Sequence, residues 1–263
     1  MVSIARAFNI ARTGMQVQEK NLAIKSQNLA AQGVDGYKRQ FLLAQDIGYD
    51  YEAGQPDAPI GLNIGMGVEV GGTSRVFSNG DYIKTDAPFN VAIDGDGWFE
   101  VTMEDGTIAY TRAGAFDKNA QGQIVTMVGN HQLSPGITIP PNAIGVSISE
   151  NGEVYVTIPG APTIQQLVGQ IQLTRFNNNN GLRAIGENLF IPVTEKSGDA
   201  IAGIPSVDGA GKIKQGYLES SNVDSVEEIT SMMLIQRIYE LLTKVFSTGE
   251  RMMDAASSNI ART

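Results

Sequence analysis

The sequence predicts an α+β chain: long N- and C-terminal α-helices forming a coiled-coil domain, a central antiparallel all-β domain, and extended connectors. Three observations predict it. Apolar residues recur at three-four spacing at both ends of the 263 residues, which is the helical period. The middle alternates with period two between Asn-Gly and Asp-Gly turns. Glycine-, aspartate- and proline-rich stretches separate the two patterns. The boundaries that follow are residues 1–35 with 222–263 for the helical domain, 36–74 with 206–221 for the connectors, and 75–205 for the β domain.

Residues 4–31 contain no proline and one glycine, Gly14. One row runs Ile4, Phe8, Ala11, Met15, Leu22 and Leu29, with Gln18 and Lys25 at the two positions that complete it. A second row, Ala7, Ile10, Gly14, Val17, Ile24 and Ala31, lies beside it, interrupted by Asn21 and Asn28. The glycines at 33 and 36 stop this helix. At the other end, Ser225 and Glu228 fit a capping box, and Met232, Ile235, Tyr239, Leu242, Phe246, Gly249, Met253, Ala256 and Ile260 step by three and four without a break. That alternation averages the coiled-coil period and repeats over about four heptads. Leu234, Ile238, Leu241, Val245 and Met252 run alongside. Glu240 and Lys244 are a favourable i,i+4 pair, and Glu250 and Asp254 a like-charge pair. An amphipathic stripe usually faces its own domain's core; the length of this seam and the matching helix at the other end favour association between copies. A contact that is not self-complementary propagates as a helical polymer. The pentapeptide Asn9-Ile-Ala-Arg-Thr13 recurs as Asn259-Ile-Ala-Arg-Thr263.

In the middle, Asn79-Gly80, Asp105-Gly106 and Asn151-Gly152 mark three two-residue hairpins. They separate 75–77 from 82–84, 99–103 from 108–110, and 146–148 from 154–158. Further strands are expected at 124–125, 137–139, 171–173 and 189–191, and the asparagine run 177–180 is an exposed turn.

Catalytic templates fail in turn. With no cysteine there is no thiolate nucleophile, disulfide or cysteine zinc site. The single histidine, His131, lies between Asn130 and Gln132 with no serine or carboxylate at triad-like spacing. Gly65-Met-Gly67 has Val70 where a dinucleotide fingerprint needs glycine, and Gly209-Ala-Gly-Lys212 has Ile213 where a phosphate loop needs Ser or Thr. Asp94-Gly-Asp96-Gly97 resembles part of a calcium loop, but the first and twelfth ligand positions are Ala92 and Met103, so a turn is expected. Net charge −9 argues against nucleic-acid wrapping or binding to anionic membranes. No apolar run reaches the ~18 residues of a membrane span, and Arg6, Asn9 and Arg12 break the core a signal peptide would need. The expectation is no enzyme, catalytic residues, cofactor, metal, nucleic acid, small-molecule substrate or membrane insertion.

Several motifs in order are similar to the bacterial flagellar rod and hook family of axial proteins. They are Asn28-Leu29-Ala30, Gly36-Tyr37-Lys38-Arg39, Val91-Ala-Ile93-Asp94-Gly95-Asp96-Gly97-Trp98-Phe99, Tyr110-Thr-Arg112-Ala-Gly114-Ala-Phe116, Ile185-Gly-Glu187-Asn-Leu189, Gln215-Gly-Tyr-Leu-Glu219, Ser221-Asn222-Val223-Asp224 and Gln236-Arg237 before Tyr239-Glu240. The resemblance covers essentially the whole chain. It implies a structural subunit of the distal rod, self-assembling into a rigid hollow helical tube that transmits motor torque across the periplasm to the hook. The partners implied are further copies of the chain, proximal rod proteins, the hook protein, the surrounding P and L ring proteins and the flagellar export apparatus, with export lacking a cleaved signal peptide. Self-assembly is expected through Ile4, Phe8, Met15, Leu22, Leu29, Met232, Ile235, Tyr239, Leu242, Phe246, Met253 and Ile260. Tyr49, Tyr51, Gly54, Gln55 and Pro56 look like the segment that stiffens the rod relative to the hook. A proximal rod or hook subunit is the alternative within the family. Outside it stand a monomeric β-rich binding module using Trp98 and Tyr110, and an enzyme using dispersed carboxylates.

Overall fold

The computed structural model describes residues 2–51, 63–159, 165–207 and 209–260, and side chains within 6–49, 65–159, 165–207 and 209–252 and at 255. In chain order the elements are α1 (Val2–Ala30), β1 (Gln40–Asp46), β2 (Tyr49–Tyr51), β3 (Asn63–Gly65), β4 (Val68–Arg75), β5 (Tyr82–Lys84), β6 (Val91–Asp94), β7 (Trp98–Thr102), β8 (Ile108–Thr111), β9 (Phe116–Lys118), β10 (Ile124–Thr126) and β11 (Gln132–Leu133). They continue with β12 (Gly145–Ile148), β13 (Glu153–Thr157), β14 (Gln165–Gln170), β15 (Leu173–Arg175), β16 (Leu182–Gly186), β17 (Leu189–Pro192), α2 (Thr194–Ser197), β18 (Ile201–Gly203), β19 (Lys212–Gln215), β20 (Tyr217–Glu219) and α3 (Ser225–Ile260). The chain divides into two compact units, residues 1–30, 40–76 and 224–263, and residues 31–39 with 77–223.

The first unit corrects the predicted fold class. The coiled-coil domain is not shown: among the described residues there are three helices, about 27% of the chain. In place of a heptad seam, α1 divides its surface between a helix and a β-hairpin. On one side it runs antiparallel to α3, with Phe8 edge-on to Phe246 at 4.9 Å and Lys25 bonded to Glu228 at 3.1 Å. Two glycines permit this approach: a Cβ on Gly14 would stand 3.2 Å from Leu242 Cδ1, and one on Gly249 2.9 Å from Phe8 Cζ. On another side α1 meets the β1–β4 hairpin, where Val68 N–H donates to Thr13 Oγ1 at 3.4 Å. Knobs-into-holes packing needs one helix type of neighbour along the whole stripe, and a pleated hairpin does not supply it. The stretch read as connector carries strands. Residues 40–75 hold β1 paired antiparallel with β4, bulged between Leu43 and Ala44, and β2 paired with β3. Their backbone groups are satisfied by each other, as a segment packed on a helix requires.

The cap on α3 also differs from expectation. Asp224, one residue earlier than the predicted Ser225, accepts from the N–H groups of Val226 (2.8 Å) and Glu227 (3.2 Å). Glu228, predicted to reach back to the helix start, is fully buried against α1.

The second unit is the predicted antiparallel β region. A nine-stranded sheet runs β16-β17-β8-β7-β11-β10-β9, with β15 bridging β7 and β18. The three-stranded β12-β13-β14 and the pairs β19–β6 and β20–β5 complete it. Asp105-Gly106 joins β7 to β8, and Asn151-Gly152 joins β12 to β13, both glycines at positive φ (80° and 82°). Asn79-Gly80 is no hairpin: β5 pairs with β20, 133 residues further on at Tyr217↔Lys84. Glycine is needed at 80 for another reason, since a Cβ there would lie 2.0 Å from Ser220 O. Residues 137–139 form only an isolated bridge, Gln123↔Thr138. Ile171 lies between β14 and β15. The main core includes Ile93, Phe99, Val101, Leu133, Val154 and Ile213. Trp98, Tyr110, Phe176, Leu182 and Phe190 form a second cluster.

Candidate assembly surface and buried clasp

Four separated stretches of the second unit converge on one carboxylate. Glu219, at the end of β20, lies with both Lys38 Nζ (2.5 Å) and Arg112 Nη1 (3.5 Å) on its oxygens, and all three side chains are almost wholly buried. Gly80 N–H donates to the same carboxylate at 3.1 Å, and Lys38 also donates to Ser78 O at 2.8 Å. The Glu219 backbone carbonyl accepts from Gly36 N–H at 2.7 Å. Gly36 has φ +69°, and a Cβ there would meet Ala113 N and Arg112 C at 2.6 Å. Asn222 closes the outer edge: its Oδ1 accepts from Arg39 N–H at 2.7 Å and its Nδ2 donates to Ser78 O at 3.1 Å. Arg112 stacks its guanidinium 5.5 Å above the Trp98 ring. Trp98 Nε1–H donates to Asn179 Oδ1 at 3.1 Å. Burial pulls the Lys38 ammonium below the usual lysine range, with Glu219 opposing that, and the same two causes act on Arg112. An unpaired charge at such depth would cost several kcal/mol, so the three side chains are mutually dependent.

The family-motif residues Gly36, Lys38, Trp98 and Asn222 take part in this clasp. Gly36, Tyr37, Lys38, Gly97, Trp98, Phe99, Ser221 and Val223 are buried, and Tyr37 and Val223 pack with Ala31. Asp94 belongs elsewhere: its Oδ2 pairs with Lys214 Nζ at 2.7 Å, which holds its carboxyl below the usual range. Gly95 and Gly97, at φ +116° and +144°, make the turn from β6 to β7. The expected turn is therefore present. Among the described residues no group of three acidic or histidine side chains could hold a metal. His131 Nε2 lies 3.0 Å from Glu187 Oε2 at the surface. Trp98 and Tyr110, 1% and 5% exposed, are core residues and not surface contacts. Arg112 and Glu219 stood in the quoted motifs without a role. Their signal was opposite charge in two fixed motifs, and only the fold brings them together.

In the first unit, Asn28 is fully buried and bonds the Gln40 backbone in both directions, Nδ2 to O at 2.7 Å and N–H to Oδ1 at 2.9 Å. Its Nδ2 also reaches Glu228 Oε2 at 3.3 Å. Of the predicted assembly residues, Ile235 is buried, Phe8, Met15, Leu22, Leu29, Met232, Leu242 and Phe246 are half-buried, and Tyr239 is 44% exposed. The side chains of Ile4, Met253 and Ile260 lie outside the described residues. The neighbouring row on α3 is open: Leu234, Leu241, Val245 and Met252 are each more than half exposed. A row of large apolar side chains in water marks an interaction surface. Tyr49 is exposed in β2, with its ring 3.6 Å from where a Gly65 Cβ would stand. The Tyr51 side chain, Gly54, Gln55 and Pro56 lie outside the described residues. No ion pair joins Glu240 to Lys244 among the described residues. No described helix is long and apolar enough to cross a membrane.

Comparison with known proteins gives the class, a flagellar rod protein. Residues 92–156 match the family described as the flagellar hook protein FlgE/F/G D1 domain, and residues 214–259 the flagellar basal body rod FlgEFG protein C-terminal family. The chain is 42% identical to the flagellar basal-body rod protein FlgG of Caulobacter vibrioides, covering 96% of this chain and 98% of that protein. It is 40% identical to FlgG of Agrobacterium fabrum over 97% and 99%. FlgF of C. vibrioides, a basal-body rod protein with similar coverage, is 29% identical. The chain belongs to the flagellar basal-body rod protein FlgG family.

Proposed function

We propose that this chain works by assembling, through the open face of its terminal helices, into the rigid hollow tube that carries motor torque across the periplasm to the hook. It is a structural subunit of the flagellar distal rod. The observation that carries the assembly reading is the row Leu234, Leu241, Val245 and Met252, exposed on α3 beside the half-buried Met232, Leu242 and Phe246. Burying such a row against neighbouring copies stabilises by about 25 cal/mol per Å² of apolar surface before ordering costs. Ile4, Phe8, Met15, Leu22, Leu29, Ile235, Tyr239, Met253 and Ile260 extend the contact. Its neighbours along the axis are proximal rod proteins and the hook protein, with the P and L ring proteins around it. It reaches them through the flagellar export apparatus. Residues 49–56 act as the stiffening segment. The buried clasp is structural and the chain performs no catalysis. Electron microscopy of the purified full-length protein at rising concentration tests this: tubes are expected, and a monomer at every concentration refutes it. Deleting residues 51–56 should give tubes with larger curvature fluctuations; unchanged stiffness rejects the stiffening role.

A further inference from the structure

One groove and one sequence feature remain unexplained by the clasp or the open α3 row. The groove lies within the first unit, between α1 and α3. It has a volume of about 330 Å³ and is lined by Gln18, Glu19, Leu22, Ile235, Gln236, Tyr239 and Glu240. Its floor is apolar (Leu22, Ile235, Tyr239), and its rim carries two carboxylates and two carboxamides. Neither Glu19 nor Glu240 has an ion-pair partner among the described residues. The sequence feature is the repeated pentapeptide, at 9–13 and again at 259–263, which places an isoleucine two residues before an arginine.

We propose that this groove seats residues 259–263 of a second copy, with Ile260 on the apolar floor and Arg262 between Glu19 and Glu240. The proposal deepens the assembly reading and rests on it. The chemistry matches on three counts. A branched aliphatic side chain suits the Leu22–Ile235–Tyr239 floor. A guanidinium is the cation best able to bond two carboxylates at once. Asn259 and Thr263 can exchange hydrogen bonds with Gln18 and Gln236.

Geometry requires the guest to come from another copy. Tyr239 and Ile260 are both in α3 and are 21 residues apart (260 − 239), about 32 Å along a helix at ~1.5 Å per residue. The tail of α3 therefore cannot fold back onto its own groove. The N-terminal twin is engaged within its own unit. Ala11 is buried, and Thr13 Oγ1 accepts from Val68 N–H. The C-terminal twin is thus the guest, and the contact is heterologous, groove of one copy to tail of the next, which propagates without closing.

A charge swap tests the pairing in the full-length chain. Glu240→Lys and Arg262→Glu should each raise the protein concentration needed for tube formation by roughly tenfold, while far-ultraviolet circular dichroism and Trp98 fluorescence stay those of the folded chain. The double variant restores an ion pair of reversed sense and should assemble within about threefold of wild type. Ile260→Ser should weaken assembly as well, through the floor alone. Wild-type tubes with single variants that assemble normally, or a double variant no better than the worse single one, overturn this contact and leave the rod reading intact. A wild-type chain that forms no tubes overturns both.

Discussion

Replacing Glu219 with glutamine removes the carboxylate that Lys38 and Arg112 share, while keeping the size of the side chain. The amide oxygen can still accept from Gly80 N–H, so the change isolates the charge. Both cations stay where they are, with side-chain exposures of 0% and 2%. Breaking a buried pair by removing one partner costs about 3–5 kcal/mol, because the remaining charge is left uncompensated. At roughly 2–4 °C per kcal/mol for a unit of this size, the melting midpoint should fall by roughly 6–20 °C. The probe is built in. Trp98 is the sole tryptophan, is 1% exposed and lies under the Arg112 guanidinium. Urea unfolding followed by its fluorescence reports the β unit directly. A loss below about 1 kcal/mol would mean that the cluster is screened like a surface pair, and the clasp argument would fail.

Leu242→Asp puts a charge where α3 meets Gly14 of α1. It should abolish tube formation while the β unit keeps its tryptophan-monitored unfolding, and normal tubes would reject the helical assembly surface. Asp224→Ala removes the acceptor for Val226 and Glu227 N–H and should cost about 1 kcal/mol, measurable as lost helical ellipticity before the β unit melts; an unchanged helix signal counts against that cap. For Asp94, the Lys214 bond depresses the folded-state pKa. Its contribution is therefore present above the ordinary carboxyl value and is lost as pH falls through the depressed one. Asp94→Asn should flatten the acid limb of stability against pH below about pH 4, at a cost under ~1 kcal/mol at neutrality because the pair is partly exposed; an unaltered acid limb would refute the linkage.

Legibility in the sequence followed how local the cause was. Asp105-Gly106 and Asn151-Gly152 announced their hairpins because positive φ at glycine is a local requirement. Asn79-Gly80 carried the same letters for a different cause, the approach of Ser220 O, and no local rule separates the two. The apolar rows of both helices were visible, but their partners were not. Spacing cannot say whether a stripe meets a helix or the β1–β4 hairpin, so a regular heptad reads as a coiled coil where the fold has none. The stretch 40–75 looked like connector because its Gly, Asp and Pro residues outweigh short strands such as Gln40–Asp46. The clasp was least legible. Lys38, Arg112 and Glu219 are residue types that a sequence places in water, and only the fold shows that they neutralise one another.

Lys38 and Glu219 are separated by 181 positions, and Tyr217 of β20 pairs with Lys84 of β5 across 133. Contacts between such distant positions form late, because the intervening loop entropy must be overcome first. The β unit therefore cannot close its buried ion cluster until the chain through Glu219, about five-sixths of the 263 residues, is available to fold.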